Sequence, residues 1–182
     1  NVLVVHPDGS IWFTDPAYGI GGDYEGYRAE SELPVAVYRV DGGTGQIEKI
    51  TDEADGPNGI CFSPDYRRVY IADSGAACDI KVADVDEHGV RNLRRFAQLS
   101  APGNQWPDYV DGIRCDVDGN VWAAVAPGVQ VVTPAGEPIG MIRLPENCAN
   151  LCFGGARRNR LFMAASQSLY AVYMGTSGAH IT

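Results

Sequence analysis

A chain of 182 residues has the length of one domain, and its 14 Lys and Arg against 23 Asp and Glu leave a formal charge of −9. Such a surface repels phosphate backbones and anionic lipid, which argues against nucleic acid and membrane as partners, and no apolar run nears the ~20 residues of a spanning helix. A 45% hydrophobic content excludes disorder as well, while 22 Gly and 11 Pro point to many turns between strands.

The first element, NVLVVHPDGSIWFTD (1–15), reads as strand, Pro-Asp-Gly turn and strand. Residues 17–34, AYGIGGDYEGYRAESELP, carry no strand pattern, and a loop of that length in a compact domain tends to be functional. Two strands around Asp41-Gly42-Gly43 follow in 35–50. NGICFSPDYRRVYIAD (58–73) is a second hairpin of the first kind, followed in 79–96 by a strand pair that turns at Asp86-Glu87-His88-Gly89. The loop SAPGNQWPDYV (100–110), a rim candidate with Trp106 and Asp108, leads into a third such hairpin, DGIRCDVDGNVWAAV (111–125), and its pair in 128–142. The fourth, NLCFGGARRNRLFMAA (150–165), is followed by one strand, 168–174. No window shows a helical 3.6-residue apolar stripe.

Antiparallel four-stranded units that recur every ~40–57 residues mark a β-propeller. A sandwich is the alternative, but it gives no reason for each hairpin to open on the same kind of polar residue. The sequence holds about three and a half blades, an arc rather than a ring, and a propeller closes to hide its strand edges. The expectation is an all-β fold in which residues 1–182 are the C-terminal portion of one propeller domain, its N-terminal blades lying outside this sequence.

First strands of a propeller line the central channel and start at one rim. Asn1, Asn58, Asp111 and Asn150 hold equivalent positions there and are expected to converge on the axis. Amide and carboxylate oxygens meeting at one point suit a hard divalent cation, Ca²⁺ or Mg²⁺, better than a soft metal. The plainer alternative is that each caps a turn with its own side chain. The loop 17–34 belongs to the same rim, where Tyr18, Tyr24, Tyr27, Glu30 and Glu32 are candidates for a lid; Tyr18 is the one singled out as a substrate contact.

Other residues read as structural. His6, His88 and His180 fall in turns or the C-terminal tail, which leaves no support for a Ser-His triad or His dyad. Asp15 and Asp73, at the ends of second strands, are expected away from the rim and bound to backbone groups. Trp12, Tyr70, Trp122 and Phe162 share one position and should pack between blades. Arg157, Arg158 and Arg160 form a solvated turn. Five cysteines, odd in number and without a CxxC, read as small buried hydrophobes rather than a zinc or disulfide framework.

The stretches HPDGSIWFTDPAYGIGG, GPNGICFSPD, VDGIRCDVDGNVW and IRLPENCANLCFGGARRNRLFMAASQSLYAVY together cover nearly the whole chain. Through them it resembles the gluconolactonase branch of the family that also contains senescence marker protein (regucalcin). That resemblance implies a partial six-bladed propeller with a divalent metal on its axis, Ca²⁺ first and Zn²⁺, Mg²⁺ or Mn²⁺ as alternatives, and hydrolysis of sugar lactones such as glucono-1,5-lactone. It also implies metal ligation by Asn58 and Asp111, with Asp111 as the catalytic carboxylate. Asn1 matches an Asn that binds metal or contacts substrate, and Asn150 joins Asn1 and Tyr18 as substrate contacts. The family's Glu ligand and substrate-binding Arg belong to upstream sequence, and Asn1-Val2 stands where relatives usually carry Asn-Asp. A phosphotriesterase-like hydrolase and a non-catalytic calcium-binding propeller are the alternative readings. The compartment expected is the cytoplasm, with the periplasm as alternative.

Overall fold

The computed structural model describes residues 1–87, 89–99 and 109–181. His88, Trp106 and Asp108 lie outside the described residues. The chain forms three four-stranded antiparallel sheets and one three-stranded sheet, with strands in chain order within each. Blade one is β1 (Leu3–Val5), β2 (Ile11–Asp15), β3 (Ala36–Val40) and β4 (Ile47–Thr51); blade two is β5 (Pro57–Phe62), β6 (Arg68–Asp73), β7 (Asp79–Asp86) and β8 (Gly89–Gln98). Blade three is β9 (Val110–Cys115), β10 (Val121–Val125), β11 (Gly128–Val132) and β12 (Pro138–Arg143), and blade four is β13 (Cys148–Gly154), β14 (Arg160–Ala165) and β15 (Leu169–Tyr173). This is a β-propeller arrangement. A single 3₁₀ turn at Tyr18–Ile20 is the helical element among the described residues, and none of their helices is long and apolar enough to cross a membrane.

The period-2 alternation of strands explains how the blades stack. Along β6, Val69 and Ile71 join Trp12, Val37 and Phe62 between blades one and two. Tyr70 and Ala72 point the other way, into the cluster of Val110, Ile113 and Val121 between blades two and three. Trp122, Leu151, Leu161 and Met163 fill the third interface, between blades three and four. The inner blades are thus buried on both faces, which is why β5 and β10 are buried throughout. Trp12, Tyr70 and Trp122 each face the following blade, as their shared position predicts. Phe162 instead lies under the Arg160 guanidinium, 5.0 Å from the ring centroid.

The hairpin turns are closed by the residues that mark them in the sequence. Asp8 accepts from the Ser10 N–H and Ser10 Oγ from the Trp12 indole (3.0 Å). In blade three one side chain does both, since Asp116 accepts from the Asn120 N–H (2.8 Å) and from the Trp122 indole (3.0 Å). Gly9 and Gly119 take the left-handed φ of +85° and +84° that these turns require. Cys61, Cys115 and Cys148 are buried, as small hydrophobes should be, whereas Cys78 is half-buried and Cys152 exposed.

Two histidines differ from the exposed turn residues that the sequence suggests. His6 packs edge-on against Phe62 and Tyr66. His180 stacks on Tyr66 at 4.0 Å and bonds through Nε2 to the Ser63 carbonyl (2.9 Å). The C-terminal tail carries it there by crossing three blades, with Gly178 N–H bonded to Arg158 O and Ala179 N–H to Cys115 O. Periodicity cannot show such a path, because the tail has no repeat of its own.

Candidate active site at the propeller rim

The starts of β1, β5 and β9 meet at one end of the arc. Asn58 Oδ1 accepts from Asn1 Nδ2 (2.5 Å), and Asn58 Nδ2 donates to Ser74 Oγ (3.2 Å). Ser74 in turn donates to the Val110 carbonyl, one residue before Asp111, and so ties blade two to blade three. Tyr109 does the same between blades three and four, its hydroxyl donating to Cys148 O (2.9 Å). Asn1, Asn58 and Asp111 line one cavity with Pro16, Tyr18, Gly19 and Glu25.

Glycines set how closely the inner strands approach. A Cβ on Gly59 would lie 2.2 Å from the Asp111 carbonyl and 2.8 Å from the Ile113 nitrogen, and one on Gly112 would meet Asn150 Oδ1 at 2.2 Å. The Gly after Asn58 and the Gly after Asp111 therefore mark close contact between the inner strands of neighbouring blades rather than a turn. Gly59→Ala should force β9 away and lower stability by about 1–3 kcal/mol. Gly140→Ala, where a Cβ meets nothing within 4 Å, is the control, and urea unfolding of the two variants checks the difference. Equal midpoints would mean that the strands are not held at contact distance.

Asp73 corrects one expectation. It ends β6, but an antiparallel partner runs back, so Asp73 pairs with Pro57 beside the rim and not away from it. Its carboxylate, 1% exposed, accepts from the N–H groups of Asp55, Gly56 and Gly75. Lys81 Nζ lies 3.2 Å away and is shared with Asp79, which also pairs with Arg95 at 2.8 Å. Burial by itself raises the Asp73 pKa, but the three N–H bonds and Lys81 outweigh it and hold the group below its usual value. The backbone role is as expected; what it fixes is the turn that delivers Asn58.

Asp111 is half-buried. Its pKa is pushed up to about 6, chiefly by desolvation and further by the Glu25 charge, against contributions from the Asn58 amide and the Gly112 N–H that favour the anion. Tyr18, on the 3₁₀ turn, donates to Gly56 O (3.0 Å), and its own pKa is raised by burial and by Asp73, Asp111 and Asp55. Of the other loop residues, Tyr24 and Tyr27 are 98% and 88% exposed, and Glu30 and Glu32 are exposed too. Glu25 is the loop carboxylate that lines the cavity beside Tyr18 and Gly19, and nothing in its local sequence distinguishes it from Glu30 or Glu32. Asn150 lies apart from this lining: its Oδ1 accepts from the Leu151 N–H (2.9 Å), the capping geometry, and it borders a separate hollow beside Arg114.

The donor chemistry fits a hard divalent cation. The groups are oxygens on one cavity wall, and rotating the Asn58 amide brings Oδ1 to the side that Nδ2 now presents to Asp111. Among the described residues no three His, Cys, Asp or Glu side chains form a metal-binding group, so a cation held here would need amide oxygens, with water or substrate to complete its shell.

Residues 1–167 match the model of the SMP-30/gluconolactonase/LRE-like region. A lactonohydrolase of Aspergillus oryzae is 30% identical over 98% of this chain and 44% of its own length. The gluconolactonase of Zymomonas mobilis is 29% identical over 98% of this chain and 51% of its own. The solved structure of a Xanthomonas campestris gluconolactonase superimposes with a TM-score of 0.85 at 31% identity, over 94% of this chain and 55% of that one. The chain spans about half the length of the curated relatives it matches. With the blades, the rim and these matches in agreement, the chain belongs to the SMP-30/gluconolactonase/LRE-like family.

Proposed function

We propose that the protein to which this chain belongs hydrolyses sugar lactones of the glucono-1,5-lactone type at the rim cavity, with a divalent cation, Ca²⁺ first, as cofactor. The observation that carries this reading is the convergence of Asn1, Asn58 and Asp111 on one cavity under the 17–34 loop, in a chain similar to a gluconolactonase and a lactonohydrolase. A bound cation supplies positive charge to the lactone carbonyl oxygen as negative charge develops there. Asn58 and Asp111 would hold it, with Asn1 as a further ligand or substrate contact.

The remaining work falls to the chain's own groups. Asp111 orients a water and takes its proton as the water oxygen bonds to the carbonyl carbon. Collapse breaks the ring C–O bond, and the proton passes to the departing ring oxygen to give the hydroxy acid. Tyr18, tied to Gly56, limits the cavity on the loop side and faces the sugar hydroxyls. Asn150 is assigned a substrate contact only if its side chain turns away from Leu151. A lactone is an activated ester, and one carboxylate beside one cation is enough apparatus.

A pH-stat assay of the full-length protein tests the reading, with glucono-1,5-lactone and a fluorophosphate as substrates and spontaneous hydrolysis subtracted. Lactone turnover that is lost on chelation and restored by Ca²⁺ is expected. Fluorophosphate turnover alone would reassign the site to phosphotriester chemistry, and tight cation binding without turnover of either would make it a calcium-binding propeller.

A further inference from the structure

We propose that Arg114 forms an anion site inside the central channel, built to take a single carboxylate group. Arg114 lies on β9 three residues past Asp111, so at ~3.3 Å per residue its Cα sits ~10 Å further down the strand than the rim. Its side chain borders a small cavity of about 20 Å³, walled by Val4, Val5, Phe62 and Phe153. On its other side is the hollow bordered by Asn150, Leu151 and Cys152. Neither set of residues overlaps the rim cavity, so the site stands whether or not the rim hydrolyses lactones.

The guanidinium is under-partnered. Nε is buried and meets no acceptor, and Nη1 donates to the carbonyl of the preceding residue, Ile113, at 2.7 Å. No carboxylate lies within ion-pair distance of Arg114 among the described residues. Arg39, Arg91, Arg94 and Arg95 each pair with an Asp, and among the described residues Arg114 is the arginine whose Nε is buried without a partner. Arg114 as a whole is half-buried, but it cannot shed its proton, and a buried donor such as Nε is costly until an acceptor meets it. His180, which borders the same cavity, has its Nε2 committed to Ser63 O, and desolvation lowers its pKa, so the cation there is Arg114. A guanidinium with a free Nε–H presents the edge that takes a carboxylate through two parallel hydrogen bonds. The carboxylate could be a free small acid or a side chain of a longer form of this protein; the chemistry is the same, and one experiment separates the sources.

The full-length protein is labelled with ¹⁵N-arginine, and the Arg114 Nε–H resonance is assigned by its disappearance in Arg114→Lys. Sodium formate is then titrated at an ionic strength held constant with sodium chloride. A saturable movement of that resonance is the expected result and identifies a free-anion site. A resonance already hydrogen-bonded to a carboxylate of the chain and indifferent to formate identifies the internal source. A resonance placed with the exposed arginines and unmoved by formate overturns the proposal. Because Arg114→Gln could fail to fold, Arg114→Lys is also the functional control. It keeps the charge and loses the fork, so formate stabilisation of the melting temperature should need at least about tenfold more formate. Formate stabilisation of Arg114→Lys equal to that of the unaltered protein would equally rule the guanidinium out.

Discussion

Asp111→Asn in the full-length protein is expected to keep the fold and most of the cation affinity while lowering lactone turnover ~10²–10⁴-fold, the usual contribution of a positioned general base. The amide keeps an oxygen on the same cavity wall but cannot accept the proton of the attacking water. Asn58→Ala should fail in another way. It removes an oxygen donor together with the links to Asn1 Nδ2 and Ser74 Oγ, so affinity for the cation falls and added Ca²⁺ restores part of the rate. Turnover of both variants across a Ca²⁺ titration makes the comparison, with cation binding followed separately by calorimetry. Rescue of Asp111→Asn by excess cation, with none for Asn58→Ala, would show that Asp111 is a ligand and no more.

The largest expected loss of stability comes from Asp73→Ala. The change strands the N–H groups of Asp55 and Gly56 at the turn before Asn58 and that of Gly75 just after β6, and it takes one of two carboxylates from Lys81. Removing one partner from a buried, hydrogen-bonded ion pair costs about 3–5 kcal/mol. Asp73→Asn, which keeps a carbonyl acceptor, should cost less than half as much, and urea unfolding reads both. A loss under about 1 kcal/mol for Asp73→Ala would mean that the turn is held by its flanking strands instead.

The pH dependence has a defined sign. The folded Asp73 pKa lies below the ordinary value of 3.8, so the unfolded chain binds the proton more readily. Its stabilisation is fully present above that value and drains away as pH falls from there through the lower folded pKa. Acid unfolding of Asp73→Asn should lack this component, and an unchanged acid limb would remove Asp73 from the account.

Much of the propeller was legible without coordinates. Alternating apolar residues, Asp-Gly and Pro-Asp turns and the recurrence of one hairpin define strands and their order by interactions within a few residues, which is the range over which sequence patterns speak. The rim positions of Asn1, Asn58 and Asp111 followed from the same recurrence, because equivalent residues of repeated blades occupy equivalent places around an axis. The recurrence failed for Asn150, whose side chain turns to its own backbone, and for Asp73, where hairpin order was read without the return direction of an antiparallel strand. Glu25 enters the cavity through the path of a loop with no repeat. Gly59 and Gly112 answer to backbone on the neighbouring blade, and the unpaired Nε of Arg114 is defined by what the channel does not place near it. These depend on the angle between blades and on the course of unpatterned segments. Contacts of that kind join residues far apart in the chain, and only the packed tertiary structure settles them.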